Sequence, residues 1–178
     1  SFDVQSNFVI AWNDAGDWYD YTRNFPTSAK LYKVYGRLSS GGNSMAAQLD
    51  EVTSGAGAAN QVLVKLGEFR APATGNYDVF RFVPLTDDKG EETLVKLGGE
   101  RTLRFTVLPG NLDADYLVFV PAGAGSLPPI VARTTPARGS IAPANTLIEV
   151  SIEDRETSVV PGSIRLSVNG VSVTSASA

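Results

Sequence analysis

Cysteine and histidine are both absent from this sequence of 178 residues. Without cysteine there is no disulfide, no thiolate nucleophile and no sulfur ligand for a metal. Without histidine, the commonest general base and the commonest transition-metal ligand are missing. A histidine-based serine triad and the usual zinc sites are therefore excluded, which leaves only carboxylate, lysine or tyrosine chemistry. Basic residues are also in the minority, 15 against 19 acidic, for a formal charge of -4. No basic run offers a footprint for nucleic acid or an anionic membrane. No apolar stretch approaches the roughly 18 residues of a membrane-spanning helix, so no membrane insertion is expected. No charged-then-apolar leader follows Ser1, and the expectation is that any targeting signal lay upstream or was removed.

What is present is a globular composition, 43% hydrophobic with 17 glycines and 10 prolines, able to bury a core. Apolar residues alternate with polar ones in short runs bounded by turn residues, the signature of strands. Tyr32, Val34 and Leu38 fall on one face of such a run; Val62, Val64 and Leu66 repeat the pattern, as do Val79 and Val83. Leu103, Phe105 and Val107 alternate against Thr102, Arg104 and Thr106. Tyr116 to Val120 is apolar on both faces, as a strand buried on two sides would be. Asn43 to Val52 fits helical spacing through Met45, Leu49 and Val52 but also alternates through Met45, Ala47 and Leu49, and is read as a strand. Turns are expected at Asp87 to Gly90, Thr74 to Asn76 and Pro109 to Asn111.

The stretch from Pro121 to Pro129 is small, uncharged and rich in proline and glycine, the composition of a linker. The expected organisation is a β-sandwich over 1-121, a linker at 122-128 and a partial β-domain over 129-178. In this tail Leu147 to Ile152 alternates, and Ser163 to Val168 runs into Asn169-Gly170, a strong hairpin signal. At about 50 residues, the tail is roughly half of an immunoglobulin-like sandwich.

The segment richest in chemistry is Trp12 to Arg23, with four aromatics and three acids in twelve residues. Here the sequence resembles the family six carbohydrate-binding modules, in which a glycine-acid-tryptophan element leads into a strand ending in tyrosine; Gly16-Asp17-Trp18 and Tyr21 fit it. Phe25-Pro26 followed by Tyr32 to Leu38, Thr74-Gly75-Asn76-Tyr77, and Asp113-Ala114-Asp115-Tyr116 match three further segments in the family's order. The resemblance runs over roughly residues 9 to 121. Family members begin with an acidic strand that this chain lacks, so the resemblance implies a missing N-terminal edge. Ser163 to Gly170 similarly resembles bacterial immunoglobulin-like repeats, which act as spacers.

The family likeness implies an all-β fold, a jelly-roll β-sandwich followed by a partial immunoglobulin-like domain. It implies a non-catalytic polysaccharide-binding module of a larger secreted or cell-surface protein, with covalently attached neighbouring domains. By motif alignment Trp12 and Tyr77 would grip a sugar, with Asp113 where the family has an asparagine and Asn111 beside it. A sugar ring has an apolar face that flat aromatics can cover and a rim of hydroxyls that fixed polar groups can orient. An ionised carboxylate accepts hydrogen bonds but cannot donate them, so the Asp113 position would alter selectivity or degrade the site. The same likeness places Trp18, Tyr21, Tyr35 and Tyr116 in the core. Asn111, Asp113 and Asp115 alternate, so on a regular strand their oxygens would share a face and could hold calcium. No other cofactor is expected. Two further readings stay open: a structural or adhesive spacer that binds no sugar, and a carboxylate glycosidase using two of Asp14, Asp17, Asp113 and Asp115.

Overall fold

Alternating apolar faces demand a second layer to bury them, and the chain supplies it by curling one ribbon of strands upon itself. The computed structural model describes residues 8–173. The outermost residues of both expected domains, 1–7 and 174–178, lie outside the described residues. The chain divides into two units between Ala122 and Gly123.

The first unit contains β1 (Ile10–Asn13), β2 (Trp18–Asn24), β3 (Lys30–Ser40), β4 (Met45–Ser54), β5 (Val62–Ala71), β6 (Asn76–Thr86), β7 (Leu94–Leu97), β8 (Glu100–Val107) and β9 (Leu112–Ala122). The segment that admitted either a helix or a strand is β4. The hydrogen-bonded order is β1-β9-β3-β6-β5-β4-β8-β2, with β7 added to β3. Strand β6 makes the corner. Up to Pro84 it pairs with β3, and at Leu85 and Thr86 it pairs with β5. Pro84 brings no N–H, which suits the residue at which one ladder is exchanged for another.

The two layers meet over one core. Tyr32, Val34 and Leu38 of β3, Val83 and Leu85 of β6 and Leu112 of β9 face Met45 and Leu49 of β4, Phe69 of β5 and Leu103, Phe105 and Val107 of β8. Phe105 stacks between Tyr19 and Phe69, at centroid distances of 5.2 and 5.9 Å. This is the β-sandwich expected from the alternation, of the jelly-roll type that the family likeness implied.

Several expected core positions are not in it. On β2, Tyr19 lies opposite the inward Phe105, while Trp18 lies opposite the outward Thr106. Trp18 and Tyr21 are three residues apart, so a strand cannot turn both inward. Tyr21 packs against the core, and Trp18 stays half exposed beneath the Arg104 guanidinium, 3.4 Å from its ring centroid. Val62 and Val64 are exposed although they share the face of Leu66; the β4–β5 ladder slips between Leu49 and Asp50, which passes the inward face from even positions to Phe69 and Ala71. Gly67 sits at this slip, where an added Cβ would lie 2.6 Å from the Thr86 carbonyl oxygen. Val79 is exposed within an irregular stretch of β6. Tyr35 points outward and donates to Glu92 at 2.8 Å. Tyr116 is exposed too, because an irregularity between Ala114 and Leu117 turns Leu117 and Phe119 inward instead. Strand β9 is therefore not buried on both faces.

The second unit contains β10 (Ile130–Thr135) paired with β11 (Glu149–Glu153), and β12 (Leu166–Val168) paired with β13 (Val171–Val173). Asn169 and Gly170 both take positive φ, as a tight hairpin turn of the Asn-Gly kind requires.

Candidate functional site

A cleft of about 260 Å³ opens where β1, the start of β6 and the start of β9 meet. It is lined by Ala11, Trp12, Asn13, Tyr77, Asn111, Leu112 and Asp113. All four residues that the sequence nominated, Trp12, Tyr77, Asn111 and Asp113, lie here together.

Trp12 is placed by a bulge. Ile10 pairs with Ala114 and Asn13 with Leu112, so β1 fits one more residue than β9 between these pairs. The buried Asn13 spans the irregularity, its side-chain amide donating to Ile10 O at 2.7 Å and Leu112 O at 3.0 Å. Within the bulge Trp12 takes φ of 61° and is 95% exposed. A bulky residue in this region costs on the order of 1–3 kcal/mol of backbone strain. Nothing in the core compensates, because the indole packs against none of it.

Tyr77 is placed by the opposite strand end. Leu38 pairs with Arg81 and Ser40 with Asn76, so β6 loops out between these pairs and carries Tyr77 with it. Two buried serines of β3 hold the excursion. Ser39 Oγ donates to Tyr77 O at 2.6 Å, and Ser40 N–H donates to Thr74 Oγ1 at 3.0 Å. The Tyr77 ring lies against Gly41, where an added Cβ would come within 2.5 Å of Cε2. Its exposure is 42%, intermediate between a core ring and a free one.

The polar side of the cleft is acidic. Asp113 is buried to all but 9%. Loss of water pushes its carboxyl above the ordinary aspartate value, the Trp12 backbone N–H that it accepts opposes the shift, and Asp78 adds to it. Asn111 donates to Asp14 Oδ1 at 3.0 Å, and Asp14 N–H donates to Asp17 Oδ2 at 2.8 Å. Asp115 does not join this group. It pairs with Arg37 and lines a different cleft, because the irregularity after Ala114 breaks the alternation that would have set it beside Asp113. Among the described residues, no group of three or more acids could hold a metal ion.

Asn13, Ser39, Ser40, Gly41 and Thr74 were not nominated from the sequence, although they hold the two aromatics. The Ser39-Ser40-Gly41-Gly42 run was the available signal, since small polar residues at a strand end suit close backbone approach. The cleft can cover a flat apolar surface from two sides and orient a polar rim through Asp113 and Asn111. Among the described residues lining it, Asp113 is the only carboxylate.

No protein-family model matches the sequence, and no curated protein matches it. Solved structures do. The chain is similar to a carbohydrate-binding module from the Cellvibrio mixtus lichenase 5A, solved with cellotriose, at 19% identity and a TM-score of 0.51, over 68% of this chain and 82% of that one. It is also similar to a β-1,3-glucan-binding module from Bacillus halodurans (16% identity, TM-score 0.47, 63% of this chain and 75% of that one). A third is a module from Clostridium stercorarium solved with cellobiose (18% identity, TM-score 0.46, 64% and 74%). The chain thus carries a β-sandwich fold of the family six carbohydrate-binding type.

Proposed function

We propose that the first unit is a non-catalytic polysaccharide-binding module that uses the cleft of Trp12, Tyr77, Asn111 and Asp113. The observation that carries this reading is Trp12. A tryptophan held in a strained backbone conformation, 95% exposed, contributes nothing to the core, and it flanks a cleft shared with a second, half-exposed aromatic. Strain of this kind persists where a function selects it. Aromatic planes with a few fixed polar groups are what a sugar ring needs. The fold likeness supports the same reading, since the Cellvibrio mixtus module was solved with cellotriose.

Hydrolysis is disfavoured by composition and geometry together. Glycosidases use two carboxylates flanking the scissile bond, and the described cleft lining offers Asp113 alone. A spacer without sugar binding would have no use for the exposed Trp12. We read the second unit, with its two hairpins, as a spacer, and the parent protein as secreted or displayed at a cell surface.

The test is affinity electrophoresis of the whole chain through gels containing a panel of neutral, acidic and amino polysaccharides, alongside a reducing-sugar assay. Retardation on at least one polysaccharide without sugar release is expected. Release of reducing ends would turn the reading to the glycosidase, and unchanged mobility on every gel would turn it to the spacer.

A further inference from the structure

The described acids of the unit divide into those that form an ion pair with a cation and those that do not, and Asp50, Asp87, Glu91 and Glu100 stand with the cleft acids in the second group. Asp20, Glu51, Glu68, Asp88, Glu92 and Asp115 are each ion-paired with an arginine or lysine. Among the described residues, Asp14, Asp17, Asp78 and Asp113 form no ion pair, and no lysine or arginine lines the cleft. The groups that sense the charge of Asp113 are Asp78 on β6 and the Tyr19 hydroxyl on β2, which is buried and without a hydrogen-bond partner. None of them is a cation.

Asp113 is decisive because it is both buried and part of the cleft lining. One acceptor site is taken by the Trp12 N–H, and the carboxylate has further acceptor capacity. A ring seated between Trp12 and Tyr77 would strip the last water from this carboxylate. A neutral ligand would leave an uncompensated buried charge, whereas an ammonium group would form a charge-assisted hydrogen bond of roughly twice the neutral strength.

Resting on the binding reading above, we propose that the preferred ligand is an amino-sugar polysaccharide whose protonated amine pairs with Asp113 while the aromatics hold the ring. A cationic peptide could satisfy the charge but offers no flat apolar ring face to the two aromatics. A metal ion is disfavoured because the acids do not converge on a common centre.

The experiment compares three hexasaccharides of one β-1,4 backbone by calorimetry: glucosamine, N-acetylglucosamine and glucose oligomers, differing at C2. Measurements are made at about pH 6, on the acid side of the titration of an amino-sugar amine, which is more acidic than a lysine, and in low salt. The glucosamine oligomer should bind about tenfold more tightly than either neutral one, which is about 1.4 kcal/mol. Asp113→Asn should bring the three within about threefold of each other while the circular dichroism spectrum stays unchanged. Equal or weaker binding of the glucosamine oligomer, or a preference that survives Asp113→Asn, would overturn the inference. So would hexalysine binding as tightly as the glucosamine oligomer and indifferently to Trp12→Ala. Should a neutral polysaccharide of the panel bind while the amine brings no gain, only this inference fails. If nothing binds at all, the binding reading fails with it.

Discussion

Trp12→Ala separates a functional tryptophan from a structural one. The indole is 95% exposed and the backbone beneath it sits at φ of 61°, so truncation removes no core packing. The melting temperature should move little, and Trp12→Gly should raise stability by up to about 1 kcal/mol by releasing the strain. Binding should respond in the opposite sense. One indole face is about half of the 150–250 Å² that a buried aromatic covers, or roughly 100 Å². At about 25 cal/mol per Å² this amounts to about 2.5 kcal/mol. Restriction of the ring on binding returns about 0.5 kcal/mol, so a net loss of about 2 kcal/mol, or roughly thirtyfold, is expected. Open clefts bind single chains at about micromolar to millimolar dissociation constants, so such a loss abolishes retention on an affinity gel. Calorimetry on the best polysaccharide, paired with thermal melts of the same preparations, measures both quantities. Unchanged affinity, or a stability loss above about 1 kcal/mol, would refute the reasoning that Trp12 is spent on a ligand rather than on the fold.

Three other substitutions test the supports of the cleft. Asn13→Ala leaves Ile10 O and Leu112 O without their donor and should cost about 1–3 kcal/mol in chemical denaturation while weakening binding. Gly41→Ala places a Cβ where the Tyr77 ring lies; the half-exposed ring should swing aside, with binding weakened about tenfold. Its effect on stability should stay within about 0.5 kcal/mol, read from the same denaturation curves. Asp113→Asn should raise stability at neutral pH. Burial raises the native carboxyl above its ordinary 3.8, so the native state binds that proton more tightly than the unfolded chain and loses stability as pH rises through this window. The gain should therefore vanish in melts below about pH 3.8. The same variant should hold neutral glucans at least as well as the parent, because an amide donates where a carboxylate cannot.

Much of this molecule is legible in its amino acids. Strand alternation predicted the sandwich and the faces of β3 and β8, and Asn169-Gly170 predicted its hairpin because both residues tolerate positive φ. Motif order nominated four residues that the fold brings to one cleft. The outward turn of Tyr116 was not legible, because a single slipped residue in β9 exchanges the faces beyond it. Such slips depend on which strand lies alongside, and partners distant in sequence leave no local trace.

By itself, then, the sequence determined what chemistry is impossible, through the absence of cysteine and histidine, and which segments must be strands, through period-two burial. Tertiary structure alone decided the irregularities in β1 and β6 that present Trp12 and Tyr77, and the one in β9 that parts Asp115 from Asp113. It also decided which acids find a cation. Asp115 meets Arg37 across a ladder, whereas Asp113, two residues earlier, meets only a backbone amide and an open cleft. The physical reason is that charge pairing and bulge placement are properties of neighbouring strands, and neighbours are chosen only when the sheet closes.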